Sequence, residues 1–124
     1  MAGELILIVE DNEKNLKLVR DVLQAKGYQT VEAGTGEDGV RLAKERHPAL
    51  VLMDIQLPGI DGITALGQLR ADPATRAIPV IAVTASAMTH DRQKIMAAGF
   101  DGYQTKPIRL KEFLDAVRVM LNRK

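Results

Sequence analysis

The stretch from Ala49 to Gly62, ALVLMDIQLPGIDG, joins an apolar run to a single carboxylate and then to a proline-glycine break. The run Ala49 to Met53 is too short for a helix and ends in turn chemistry, which predicts a strand buried on both faces. Asp54 then stands at the carboxyl end of that strand. A carboxylate directly after Val51, Leu52 and Met53 needs water, a cation or several donors. Pro58-Gly59 opens a loop too early for Asp54 to cap the following helix, so Asp54 either closes a strand at the surface or floors a site.

Outward from this stretch the pattern repeats. Leu5-Ile6-Leu7-Ile8-Val9 is a second continuous aliphatic run, and it too ends in acid, at Glu10-Asp11. Asn12 stands where a helix cap would, and Leu16, Val19, Val22 and Leu23 recur at helical spacing until Gly27. Tyr28 to Ala33 reads as a short strand. Thr35-Gly36-Glu37-Asp38 resembles a capping box that leads a helix through Val40 and Ala43, to end before Pro48. Beyond Gly62, the residues Ile63, Leu66 and Leu69 mark a third helix, ended by Asp72-Pro73 and weakened by Gly62 and Gly67. Pro79 to Thr84 is another buried strand, whose proline is tolerated only at its first residue. Asp91 to Ala98 predicts a fourth helix with Ile95 and Met96 facing inward and Gly99 closing it. Asp101 to Lys106 is a short strand ended by Pro107, and Leu110, Phe113, Leu114, Val117 and Leu121 trace a last amphipathic helix.

Strands alternating with helices require crossover connections, so the expected architecture is α/β, a five-stranded parallel sheet with helices on both faces. The 124 residues are expected to form one domain, residues 1–124, with no output domain. A formal net charge of +1 and the absence of any basic run leave no footprint for nucleic acid or an anionic membrane. The absence of cysteine excludes disulfides and thiolate metal sites and suits a reducing compartment. MAGELILIVED carries no charged leader, and no apolar run is long enough to span a bilayer, so a cytoplasmic location is expected. His47 and His90 lack metal-ligand spacing and are read as surface residues.

In an open parallel sheet the ligand crevice lies beyond the carboxyl ends of the strands. Four predicted strands end there in polar chemistry: Glu10-Asp11, Asp54, Thr84 and Lys106. Three carboxylates at one edge repel each other unless a cation lies among them. Hard oxygen donors without histidine or cysteine suit magnesium, with Asp11 and Asp54 as direct ligands, the Gln56 carbonyl completing the set and Glu10 acting through a metal-bound water. A carboxylate beside Mg2+ and a lysine is poised to attack a phosphoryl group in line, with Lys106 and the Thr84 hydroxyl holding the phosphoryl oxygens.

Together these residues resemble the receiver domains of two-component response regulators. The resemblance covers the whole chain and rests on VEDN at Val9 to Asn12, MDIQLPGIDG at Met53 to Gly62, VTASA at Val83 to Ala87 and TKPI at Thr105 to Ile108. It implies the flavodoxin-like strand order 2-1-3-4-5, Asp54 as phosphoacceptor, Glu10 and Asp11 as the acidic pair, Thr84 as the switch hydroxyl, Lys106 as the phosphate-sensing lysine and Tyr103 as the aromatic switch. It also implies a cis peptide between Lys106 and Pro107, and it places Gln56 and Ser86 beside the path of the water that hydrolyses the phosphoryl group. Within the family the wording is most similar to stand-alone receivers of the DivK kind, which act by touching kinases and other proteins. Glu10 stands where some members have aspartate, and Arg109 where a helix-capping side chain would be expected.

The implied function is a phosphorelay switch. It would take its phosphoryl group from a histidine kinase or histidine phosphotransfer protein and present a changed face of fourth helix, fifth strand and fifth helix to a downstream protein. No enzyme activity on other substrates, no nucleic acid and no membrane is expected, and the chain should be a monomer or weak dimer. Two other readings fit less well. Phosphatases of the haloacid dehalogenase type carry Asp-x-Asp-x-Thr after such a strand, whereas Asp54-Ile55-Gln56-Leu57-Pro58 lacks the general acid. A purely structural module would not need acid pair, acceptor, threonine and lysine all present.

Overall fold

The computed structural model describes residues 3–85 and 89–122. Its strands are β1 (Leu5–Val9), β2 (Gln29–Ala33), β3 (Leu50–Asp54), β4 (Val80–Thr84) and β5 (Gly102–Thr105). They alternate with α1 (Glu13–Ala25), α2 (Gly36–Arg46), α3 (Gly62–Ala71), α4 (Thr89–Ala97) and α5 (Leu110–Asn122). All strand pairs are parallel, in the order β2-β1-β3-β4-β5. The three strands read as continuous aliphatic runs are the three at the centre, where both faces are covered. Strand alternation sorts their side chains into two cores. Ile6, Ile8, Leu50, Leu52 and Ile81 meet Val19, Leu23, Phe113 and Val117 of α1 and α5. Leu7, Val9, Val51, Met53, Val80 and Ala82 meet the layer that includes Val40, Ala65, Leu66, Leu69 and Ile95 of α2, α3 and α4.

The helix boundaries follow local chemistry. Asn12 caps α1 by accepting from the N–H groups of Lys14 and Asn15, and Gly27 follows the helix with φ +91°, a conformation cheap only for glycine. Thr35 caps α2 by accepting from Asp38 N–H, and Asp61 caps α3 by accepting from Thr64 N–H. Arg109, whose side chain has no acceptor to offer as a cap, precedes α5, and its carbonyl accepts from Phe113 N–H at 2.8 Å.

Three expectations change. The central strand begins at Leu50 and includes Asp54 as its last residue, so Asp54 keeps strand geometry. Gly62 does not weaken α3 from within: it is the buried first residue of the helix, where a Cβ would lie 2.4 Å from the Asp54 carbonyl oxygen. Met96 is 40% exposed whereas Ile95 is 3% exposed. Adjacent helix residues point about 100° apart, and on α4 the core takes Ile95, with Phe100 just beyond the helix buried in the same cluster, while Met96 stays outside it.

Candidate functional site

The order β2-β1-β3 means that the chain leaves β1 toward one edge and returns on its other side, so strand order reverses between β1 and β3. Ligand crevices form at such a switch point, outside the carboxyl ends of the strands. Glu10 follows β1 and Asp54 closes β3, on the two sides of this point. The register places Val9 beside Met53 and Asp54 beside Val83, which aligns the polar ends.

Lys106 joins the two acids. Its Nζ lies 2.8 Å from Asp54 Oδ2 and 2.9 Å from Glu10 Oε1. Backbone bonds fix each partner: Lys106 N–H donates to the Thr84 carbonyl at 2.8 Å, Gln56 N–H donates to Asp54 Oδ1 at 3.0 Å and Asn12 N–H donates to Glu10 Oε2 at 3.1 Å. Glu10 and Asp54 are only 6% and 4% exposed, so their charge is compensated within the protein and not by bulk water. Burial pushes the Glu10 carboxyl above the usual range; the neighbouring Asp54 adds to this, while Lys106 and the Asn12 N–H oppose it. Burial alone would lower the Lys106 ammonium, but its bonds to Asp54 and Glu10 outweigh that and hold it above its ordinary value.

Asp11 is exposed and completes the acidic group: one carboxylate oxygen each from Glu10, Asp11 and Asp54 lie within 4.8 Å of one another. Three carboxyl groups face a single ammonium, a donor set with a surplus of hard oxygen ligands that fits a divalent cation such as Mg2+. Glu10, Asp11 and Asp54 are the side chains that would hold it, and bound there it would neutralise charge on an incoming phosphoryl group.

Thr84 is the buried last residue of β4, registered with Thr105, while Tyr103 is registered with Ala82. Alternation puts Thr84, Ala82 and Tyr103 on the face covered by α4. Tyr103 is half-buried against that core, and the Arg92 guanidinium of α4 lies 5.7 Å from its ring centroid. Gln56 is exposed. Ser86 lies outside the described residues. The Lys106-Pro107 peptide is cis, as the resemblance implies. His47 is exposed at the end of α2 with φ +47°, while the side chain of His90 lies outside what is described.

Sequence reading did not single out the loop contacts beneath Gln56. Ile55 N–H donates to the Val83 carbonyl at 3.0 Å, and Gly62 N–H donates back to the Ile55 carbonyl at 2.9 Å, closing the loop at its base. The signal was a pair of glycines, Gly59 and Gly62, whose meaning depends on what approaches them.

Comparison with known proteins agrees with this geometry. The response regulator receiver domain model matches residues 6–118, and the chain belongs to that family, the receiver domains of two-component signalling. It is 45% identical over 116 residues to the polar-differentiation response regulator DivK of Brucella ovis, covering 94% of each chain. The Brucella anthropi DivK is 44% identical over the same share. Among solved structures, the receiver domain of a sensor histidine kinase from Pseudomonas aeruginosa superposes with a TM-score of 0.91 at 34% identity, covering 98% of this chain and 100% of that one. That structure has a magnesium ion coordinated in its active-site cleft. The signal receiver domain of a histidine kinase from Syntrophus aciditrophicus superposes with a TM-score of 0.89 at 30% identity, covering 98% of this chain and 95% of that one. Among the described residues, no helix is long and apolar enough to cross a membrane.

Proposed function

We propose that this receiver is a phosphorelay switch that takes a phosphoryl group from a histidine kinase or histidine phosphotransfer protein onto Asp54. The observation that carries the reading is the environment of Asp54: a buried carboxylate at the switch point, bonded to Lys106 and Gln56 N–H and grouped with Glu10 and Asp11. One Asp54 oxygen attacks the phosphorus in line. The new P–O bond forms as the P–N bond to the donor imidazole breaks, and the bonding pair leaves with that nitrogen. Lys106, already 2.8 Å from Asp54 Oδ2, passes its bond to a phosphoryl oxygen, and the Thr84 hydroxyl turns to a second. Glu10, Asp11, Asp54 and the Gln56 carbonyl would hold Mg2+, which would neutralise the incoming charge. Gln56 and Ser86 flank the water that later hydrolyses the acyl phosphate.

Read-out follows from the shared face of Thr84 and Tyr103. As Thr84 turns toward the phosphoryl group it vacates space beneath α4, Tyr103 rotates into it and α4 shifts, reshaping the surface of α4, β5 and α5 that a downstream protein reads. Two packings exist, and the phosphoryl group biases them only by its differential contacts. The chain acts as a monomer or weak dimer in the cytoplasm, as a signalling domain and not an enzyme with a separate substrate.

Intact mass after incubation with acetyl phosphate and Mg2+ tests the chemistry: one phosphoryl group should be gained, and removal of Mg2+ should prevent it. Gain of that mass by Asp54→Asn would disprove the acceptor assignment. Thr84→Ala tests the read-out: it should accept the phosphoryl group and lose most of the phosphorylation-dependent gain in partner affinity. A full gain in that variant would end the coupling between Thr84 and Tyr103.

A further inference from the structure

The loop between β3 and α3 carries Gln56, and its base is closed by the paired bonds of Ile55 to Val83 and Gly62. Its far side is held by another element. The Glu37 carboxylate, from the first turn of α2, accepts from Ile60 N–H at 3.4 Å. The loop comes so close that a Cβ on Gly59 would lie 2.6 Å from each Glu37 carboxylate oxygen, and Gly59 has φ +76°. The helix approaches equally closely: a Cβ on Gly36 would lie 2.7 Å from the Ile60 carbonyl oxygen. Two glycines thus remove the side chains that would hold loop and helix apart, and Glu37 bonds to the backbone they admit.

The geometry points to Glu37 as a positioning residue for the metal-binding edge of the site, acting through the loop that presents the Gln56 carbonyl. This inference rests on the reading of that carbonyl and the acidic group as the Mg2+ site. Glu37 touches neither phosphoryl group nor cation. A carbonyl can serve as a ligand only if its loop holds it within a few tenths of an ångström of the ideal distance, because Mg2+ demands near-ideal octahedral geometry. Groups that orient metal ligands without touching the metal contribute about tenfold or more to affinity. Glu37 also carries a negative charge against this loop, so its field and its hydrogen bond must be separated.

Glu37→Gln separates them, because it keeps a carbonyl acceptor at the same length and removes the charge. Glu37→Ala removes both. Two measurements are made on the full chain: amide hydrogen exchange of Ile60 and Gly62 without metal, and calorimetric titration with Mg2+. In Glu37→Ala the Ile60 amide should exchange about tenfold faster and Mg2+ affinity should fall about tenfold. In Glu37→Gln both should return to within about twofold of the parent protein. Glu37 is exposed, and an unchanged urea midpoint confirms that the fold is intact. Unchanged exchange in Glu37→Ala overturns the proposal. So does a loss of affinity in Glu37→Gln equal to that in Glu37→Ala, which would assign the effect to charge alone. Failure of the parent protein to bind Mg2+ would refute the metal reading, while the exchange arm still decides whether Glu37 holds the loop.

Discussion

Two charged clusters sit at opposite ends of the same sheet. At the carboxyl ends, Lys106 bridges Glu10 and Asp54 with Asp11 beside them. At the amino ends, Arg70 of α3 bonds Asp101 at 2.8 Å, and it also donates to the carbonyls of Arg76, Ile78 and Gly99 at 2.9, 2.7 and 3.2 Å. The same Asp101 oxygen accepts from Val80 N–H at 2.9 Å, at the start of β4. Here a guanidinium meets a carboxylate, and its other Nη bonds go to backbone carbonyls. That cluster is balanced and ties the turn after α3 to the start of β5. The other is unbalanced, three acids to one lysine, and its surplus negative charge is what a cation would engage. Charge balance, more than burial, separates the staple from the site.

The sharpest test of this contrast is at Asp54, the proposed acceptor. Asp54→Asn should reduce phosphoryl uptake from acetyl phosphate to nothing measurable by intact mass, with the fold retained. Arg70→Ala should do the reverse: it leaves phosphoryl uptake intact and lowers stability by about 2–3 kcal/mol, as expected for losing charge-assisted bonds to partly buried partners. Urea unfolding measures it, and a midpoint within error of the parent would show that the cluster at the amino ends is not a staple.

Removing the lysine should sharpen the imbalance. Lys106→Met frees Asp54 Oδ2 from its 2.8 Å bond and leaves the acids uncompensated, so Mg2+ affinity should rise about fivefold, roughly 1 kcal/mol of relieved competition. Titration calorimetry checks the sign, and weaker binding would mean that the ammonium organises the acids more than it competes with the cation.

The smallest effect belongs to a carboxylate outside both clusters. Asp61 is exposed, and the Thr64 N–H at 2.8 Å holds its carboxyl below the usual aspartate range. A folded-state value below the unfolded one means that the contribution is complete above the ordinary aspartate value, about 4, and is lost as pH falls through the lower folded value. Asp61→Ala should therefore cost about 1 kcal/mol at neutral pH, and the difference should shrink as the solution is acidified. Urea midpoints of parent and variant at neutral pH and near pH 2 report both; a difference that persists in acid would assign the cap to something other than the ionised carboxylate.

Much of the site was legible because its residues occupy strand ends, and strand ends are local features. A run such as Leu50 to Met53 can satisfy its backbone only in a sheet and its side chains only under helices, so the chain announces where the run stops and what stands there. Met96 was misplaced for the opposite reason. Helical spacing allows a wide apolar face on α4, and only the neighbours of that helix decide how much of it is covered.

Local sequence carries the alternation of strands and helices, their punctuation by Gly27, Pro58, Pro79 and Gly99, and the polar residues at the strand ends. Each of these depends on a few neighbouring residues: the period of the apolar pattern, a capping side chain, a glycine free to take positive φ. The packed fold is what brings the Lys106 ammonium, 52 residues from Asp54, between Asp54 and Glu10. It also decided that Gly62 packs against the Asp54 backbone and that Glu37 grips the loop at Gly59 and Ile60. These depend on strand register and on the close approach of elements distant in the chain, where separations of a few tenths of an ångström choose the partner, and no periodicity records a distance.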